Sequence, residues 1–165
     1  MRVKLKKIDE NARLPKKGKV GDLCYDVWAT SEEEIAPNVW CYGLGFKYEI
    51  ERRLFKDPNK PYWAADQYKK EFDEFDISID FRPRSSIWKT GMVLANSEGT
   101  WDELYRGEAK AVFYHVFPKM ERYYKGDKIG QIKLGLAIPA EFEFVDEINE
   151  DTERGDNGFG STGKQ

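Results

Sequence analysis

Strict alternation of apolar and polar residues constrains this chain more than any other feature. Phe75, Ile77, Ile79 and Phe81 alternate with Asp76, Ser78, Asp80 and Arg82. Successive side chains of a strand point to opposite faces, so such a run has one face for a core and one for water. Val3 and Leu5 alternate with Lys4 and Lys6, and Leu23, Tyr25, Val27 and Ala29 with Asp22, Cys24, Asp26 and Trp28. Ile132, Leu134, Leu136 and Ile138 form another run, closed by Pro139. Phe142 and Phe144 predict a short strand, and the apolar stretch 108–117 predicts a buried one. Turn-rich segments such as LPKKGKVGD, FRPRSS, NSEGTWDE and YKGDK lie between them. Many short strands with regular turns predict an all-β barrel or sandwich.

A chain of 165 residues is the size of one domain, read here as 1–165, and can bury a core without a metal or disulfide staple. One segment departs from period two. Ala64, Tyr68 and Phe72 recur every four residues, which predicts one short helix inside an insertion spanning about 51–75. The stretch from about 152 to 165 is Gly-rich and predicts a mobile C-terminal arm. Lys and Arg number 27 against 30 Asp and Glu, a net charge of -3 that argues against a nucleic-acid groove. Apolar runs fall short of a membrane span, and Met1–Glu10 is charged where a signal peptide is apolar. The expectation is a cytoplasmic protein. Cys24 and Cys41 are too few for a four-cysteine zinc site, and His115 is the single histidine, so Ser-His-Asp and His/Cys metal chemistry are disfavoured. A catalytic base would be a carboxylate.

Three segments carry candidate chemistry, each beside a plainer reading. Arg84, Ser85 and Ser86 follow a strand and Pro83; a guanidinium with two hydroxyls suits phosphate oxygens, although taken in isolation an ordinary polar turn is the better reading. In NSEGTWDELYRGE, Asp102 and Glu103 offer a general base, Asn96 an amide able to read a nucleobase edge, and Tyr105 a platform for a ring; a solvated acidic loop is the alternative. Gly158–Gly163 matches G-x-G-x-x-G, yet only Lys164 and Gln165 follow, so no helix can complete a dinucleotide fingerprint. That tail is either a flexible end or a loop that wraps phosphates, with Phe159 stacking on a base.

The order of these segments is more specific than any one of them. The chain resembles the trimeric deoxyuridine triphosphate nucleotidohydrolases (dUTPases), whose five motifs occur here in sequence. The first, A-G-Y-D-L-x-A, stands as Leu23-Cys24-Tyr25-Asp26-Val27-Trp28-Ala29, and the second, P-R-S-G-L, as Pro83-Arg84-Ser85-Ser86-Ile87. The third, G-x-I-D-x-D-Y-R-G, stands as Gly99-Thr100-Trp101-Asp102-Glu103-Leu104-Tyr105-Arg106-Gly107, six residues after Asn96. The fourth, G-x-R-I-A-Q, stands as Gly126-Asp127-Lys128-Ile129-Gly130-Gln131. The fifth runs from Arg154 to Gly163. Departures are Cys24 and Ser86 for Gly, Leu104 for an acid, Gly130 for Ala and Asn157 for Gly.

The resemblance implies a jelly-roll-like β-barrel assembled as a homotrimer with shared active sites. It implies hydrolysis of dUTP to dUMP and pyrophosphate, with Asp102 as the base that activates water against the α-phosphorus. Arg84, Ser85, Ser86, Gln131, Arg154, Gly160, Ser161 and Thr162 would hold phosphates. Asn96 and the Gly99, Thr100 and Trp101 backbone would read uracil, Tyr105 would lie under the deoxyribose, and Phe159 would cover the base. Mg²⁺ would ride on the triphosphate with no direct protein ligand, and Asp26 would support its site through water. A dCTP deaminase of the same fold, a dUTP-sensing regulator whose insertion binds a protein partner, and an inactive barrel are the alternatives. No nucleic-acid or membrane partner is expected.

Overall fold

The computed structural model describes residues 1–51 and 75–152. The helix expected within 61–72 and the arm from 153 onward lie outside the described residues. The described chain forms ten strands: β1 (Arg2–Lys7), β2 (Tyr25–Trp28), β3 (Ser31–Ala36), β4 (Val39–Gly43), β5 (Phe46–Glu51), β6 (Asp76–Pro83), β7 (Met92–Leu94), β8 (Gly99–Asp102), β9 (Lys110–His115) and β10 (Lys128–Ala137). One 3-10 turn, Ile87–Lys89, stands between β6 and β7. The all-β expectation holds.

Two four-stranded antiparallel sheets, ordered β2-β10-β6-β8 and β3-β4-β9-β7, enclose the core, and β1 pairs with β5 alongside. Strands distant in sequence are neighbours in space, as a jelly roll requires. The alternation read in β6 places Ile77, Ile79 and Phe81 inside, each at most 3 % exposed. Phe113 of the opposite sheet meets Phe81 edge-on at 6.0 Å and Tyr42 at 5.7 Å, and Trp101 lies 6.0 Å from Phe81. Such edge-on aromatic contacts add to the burial of apolar area that holds the two sheets together.

The register also orders the opposite, polar face. Directly opposed residues share a face. Asp26 opposes Gln131, which opposes Arg82; Lys133 opposes Asp80, which opposes Thr100; Gly135 opposes Ser78, which opposes Asp102. Asp80 is buried here, bonded by the Lys133 ammonium at 2.5 Å and by Ser78 at 2.7 Å.

Four expectations need correction. Phe142 and Phe144 form no strand, because no neighbour among the described residues pairs with their backbone, and both side chains are fully exposed. The apolar run of β10 ends its burial at Ile132: Leu134 and Leu136 are 40 % and 58 % exposed and Ile138 lies beyond the strand. Leu23 does not join β2, which begins at Tyr25, and stays exposed. The segment around Asp102 also differs, since Gly99–Asp102 is a strand rather than a loop.

Candidate active site

Asp26 sits on β2, where an isolated bridge ties its backbone to Lys16, with Asp26 N–H to Lys16 O at 2.8 Å. Its carboxylate is buried, and both oxygens are engaged: Lys128 Nζ donates to Oδ2 at 2.7 Å and Gln131 Nε2 to Oδ1 at 3.2 Å. Burial works to raise its pKa. The hydrogen bonds from Lys128 and Gln131, with the charges of Lys128 and Arg84, outweigh that and hold it below the ordinary aspartate value. The ionised carboxylate orients the amide of Gln131 and the ammonium of Lys128 in the fourth motif. Asp26 and Gln131 are far apart in sequence and meet only through the β2–β10 register.

Arg84, Ser85 and Ser86 lie where β6 ends. Pro83 opposes Gly130, and the chain then turns: Ile87 N–H donates to Arg84 O and Lys89 N–H to Ser86 O, both at 3.0 Å. Ser86 adopts φ -84°, ψ 4° and its hydroxyl caps nothing, which leaves it available. The Arg84 side chain is half-buried and takes no hydrogen bond or ion pair among the described residues. An unpaired guanidinium of this kind is set up for an oxyanion.

The third-motif residues form a second cluster. Asn96 is exposed in the crossover from β7 to β8, where Ser97 takes a left-handed φ of 58°. Gly99, Thr100 and Trp101 follow on β8, which among the described residues is an edge strand with β6 on one side only. Its other edge presents N–H and C=O groups that a strand or a flat polar ring can pair with. The Trp101 side chain is core, packed against Tyr48 and Phe81, so only its backbone faces that edge. Asp102 ends β8 with an exposed carboxylate, its position set by its carbonyl, which accepts Tyr48 Oη at 2.6 Å and Tyr105 N–H at 3.0 Å. The Tyr105 ring leans on Tyr48 at 6.3 Å and its hydroxyl donates to Glu108 O at 3.1 Å. Gly107 permits this, since a Cβ there would stand 2.9 Å from Tyr105 Cε2.

The two clusters do not meet within one chain. Asp102 opposes Ser78, six residues before Arg84 along β6. At the rise of a strand this separates them by about 20 Å. Arg154, Phe159, Gly160, Ser161 and Thr162 lie outside the described residues. Lys128 and Tyr48 are contributors that the sequence reading passed over. Lys128 stands at the basic position of the fourth motif, which was a usable signal, whereas nothing in the sequence marks Tyr48. Among the described residues no three His, Cys, Asp or Glu side chains converge as a metal site.

The family model described as dUTPase matches residues 80–163. A deoxyuridine 5'-triphosphate nucleotidohydrolase of Nautilia profundicola is 30% identical, with 99% of this chain and 100% of the relative aligned. The chain belongs to the dUTPase family. A second relative, the deoxyuridine 5'-triphosphate nucleotidohydrolase of Clostridium novyi, is 30% identical over 99% of both chains. Among solved structures, the dUTPase of Staphylococcus bacteriophage 80alpha with dUpNHpp superposes with a TM-score of 0.71 at 18% identity, covering 99% of each chain. The dUTPase of phage phi11 of S. aureus, described with a structural Mg(II) ion, gives a TM-score of 0.62 at 15% identity, covering 90% of this chain and 99% of that one. These likenesses support the jelly-roll fold.

Proposed function

We propose that this member of the dUTPase family hydrolyses dUTP to dUMP and pyrophosphate, and that it does so as a homotrimer whose sites are shared between subunits. The observation that carries the reading is the pair of complementary half-sites on one chain: an unpaired Arg84 with free Ser86 and an ordered Asp26–Gln131–Lys128 group at one place, and Asp102 on the open edge of β8 at another. With about 20 Å between them, one triphosphate cannot use both from a single chain. A second copy brings them together. Further support comes from surface that a lone chain leaves uncovered: Ile138, Phe142, Phe144, Val145 and Ile148 are exposed, and a cavity of about 410 Å³ between β1 and β10 is lined by Val3, Leu5, Ile79 and Ile132. Exposed apolar side chains grouped in this way are a feature of interfaces.

In this mechanism Asn96 and the free edge of β8 pair with uracil. A cytosine would present the opposite donor and acceptor, leaving buried groups unpaired. Tyr105, held over Gly107, lies under the deoxyribose and leaves no room for a 2'-hydroxyl. Arg84, Ser85, Ser86 and Gln131 take phosphate oxygens, with Arg154, Gly160, Ser161 and Thr162 of the arm, and Phe159 covers the base. Asp102 accepts a proton from water as that water attacks the α-phosphorus in line with the departing pyrophosphate. Rate enhancement comes mainly from positioning and charge neutralisation, as in phosphoryl transfer generally. The hard-oxygen character of Asp26 and of the triphosphate suits Mg²⁺. With both Asp26 oxygens already bonded, phosphate oxygens and water would hold the ion, and it would offset the phosphate charge. No described helix is long and apolar enough to cross a membrane.

Asp102→Asn tests the assignment. It retains the fold and dUTP binding, and it should lose hydrolysis by at least about a hundredfold, the lower end of general-base contributions. Near-normal turnover would remove Asp102 from the role.

A further inference from the structure

The turn LPKKGKVGD concentrates a charge that the rest of the chain does not share. Four cations, Arg13, Lys16, Lys17 and Lys19, and one carboxylate, Asp22, lie between Arg13 and Asp22, in a protein whose net charge is -3. All five side chains belong to exposed residues.

The fold ties this segment to the sheet. Lys16 and Asp26 exchange both backbone bonds, Lys16 N–H to Asp26 O at 3.2 Å and Asp26 N–H to Lys16 O at 2.8 Å. Two of the cations are engaged on aromatic faces: the Arg13 guanidinium lies 5.6 Å from the Trp28 ring centroid, and the Lys17 ammonium 5.2 Å from that of Tyr25. Asp22 serves the turn itself and accepts Lys19 N–H at 2.7 Å. Gly18 lets the turn pass close to Asp26, since a Cβ there would stand 3.6 Å from Asp26 Oδ2 and 3.1 Å from Asp22 Oδ2. The ammonium groups of Lys16 and Lys19 are left over, with no carboxylate, ring or hydrogen-bond partner among the described residues. Asp26, the acid paired with Lys16 across the bridge, is already served by Lys128 at 2.7 Å and Gln131 at 3.2 Å.

Register distinguishes Lys16 from Lys19. Lys16 opposes Asp26, Asp26 opposes Gln131 and Gln131 opposes Arg82, two residues before Arg84. Directly opposed residues share a face. Lys16 therefore stands in one row with Asp26 and Gln131, on the face that carries the phosphate ligands proposed above. At the spacing of neighbouring strands, the backbones of Lys16 and Gln131 are about 10 Å apart. Lysine carries a point charge on a flexible four-carbon stem, which suits an anion bound between those two strands.

We infer that Lys16 is a further phosphate ligand of this site, its ammonium closing on the nucleotide triphosphate from the β2 edge while Gln131 and Arg84 hold it from the far side. The inference rests on the reading of Gln131 and Arg84 as phosphate ligands given above. Arg13 and Lys17 dock the loop through their ring contacts, and the Lys16 charge is left for the nucleotide. Because a point charge and not a fork is at work, charge should matter here and side-chain shape should not.

The test is calorimetric titration of the full chain, Lys16→Gln and Lys16→Arg with the analogue dUpNHpp, inorganic pyrophosphate and deoxyuridine. In Lys16→Gln the Kd for dUpNHpp should rise about tenfold at about 0.01 M ionic strength, the scale of one charge-assisted hydrogen bond. The difference should shrink at about 1 M, where the screening length falls to about 3 Å. Pyrophosphate should weaken in parallel. Deoxyuridine, which has no phosphate, should bind as before, Lys16→Arg should match the unaltered protein, and Tm should not move, since the side chain is exposed and unpaired. Unchanged affinity for dUpNHpp, an equal loss for deoxyuridine, or a loss in Lys16→Arg as large as in Lys16→Gln would overturn the inference. Loss of single-stranded DNA binding in place of dUpNHpp binding would make the loop a nucleic-acid contact and overturn it too. If the unaltered protein does not hydrolyse dUTP, the functional reading itself fails, which is a different result from an active protein whose dUpNHpp affinity ignores Lys16→Gln.

Discussion

Gly130→Ala is a substitution that the family motif itself suggests, and this fold should resist it. Gly130 is buried on β10 opposite Pro83, and a Cβ there would lie 2.5 Å from Phe81 Cε2 and 2.9 Å from Arg82 O. The second atom is backbone. The first belongs to a ring that is 0% exposed and held 6.0 Å from both Phe113 and Trp101, so it has nowhere to move. Overpacking costs about 1–3 kcal/mol. Loss of glycine's freedom in the unfolded chain returns about 0.4–1 kcal/mol. The clash wins, by about 1–2 kcal/mol, and at about 2–4 °C per kcal/mol for a chain of this size Tm should fall by about 2–8 °C. Thermal melts at one fixed protein concentration measure this, since assembly makes Tm concentration-dependent. Phe81→Leu alone should also destabilise, by leaving a cavity. The double variant should lose at least about 0.5 kcal/mol less than the sum, since the smaller side chain makes room for the methyl. A Gly130→Ala protein with an unchanged or higher Tm, or strict additivity with Phe81→Leu, would refute the claim that Phe81 occupies the space of the missing Cβ.

Further outcomes follow from the same geometry. Asp80 is held below the ordinary aspartate pKa: burial works to raise it, and the bonds from Lys133 and Ser78 with the charges of Lys133 and Arg82 prevail. A carboxylate with a depressed folded pKa stabilises the fold above its unfolded value, about 3.9, and that contribution drains as pH falls below it. Asp80→Asn should therefore lower Tm at pH 7, leaving Lys133 unpaired, and flatten the fall of Tm below about pH 4; parallel Tm–pH curves for the two proteins would contradict this. Removal of Arg154–Gln165 should collapse turnover and leave a folded oligomer of unchanged subunit number by light scattering. Full activity in that truncation would exclude the arm from the site. Tyr48→Phe removes the donor to the Asp102 carbonyl and should lower kcat more than Tm, whereas a Tm loss with normal kcat would make Tyr48 a packing residue only.

The legibility of this chain divides along physical lines. β6 could be read directly, because both its faces are satisfied by this chain alone, Ile77, Ile79 and Phe81 inward and Asp80 on Lys133. The alternation at Leu134–Leu136 marked a real strand whose apolar face this chain leaves exposed, and that at Phe142–Phe144 marked no strand, for the opposite reason. Alternation reports that a residue has an apolar face to cover, and says nothing about whether the same chain covers it. Gly99–Asp102 was hidden because four residues are too few for a period to declare itself, and its strand character comes from pairing with β6. In the candidate site the residue types could be read from the motifs, yet their grouping could not. That Asp26 meets Gln131 while Asp102 stands apart from Arg84 follows from register alone.

The central claim is tested most directly by pyrophosphate release from dUTP, dCTP, dTTP and UTP in parallel, with Mg²⁺ present. Fast release from dUTP alone is the predicted result, with dCTP rejected at the uracil-reading edge of β8, dTTP by its methyl and UTP by Tyr105. Release from all four at similar rates, ammonia from dCTP, or no turnover of dUTP at all would contradict it.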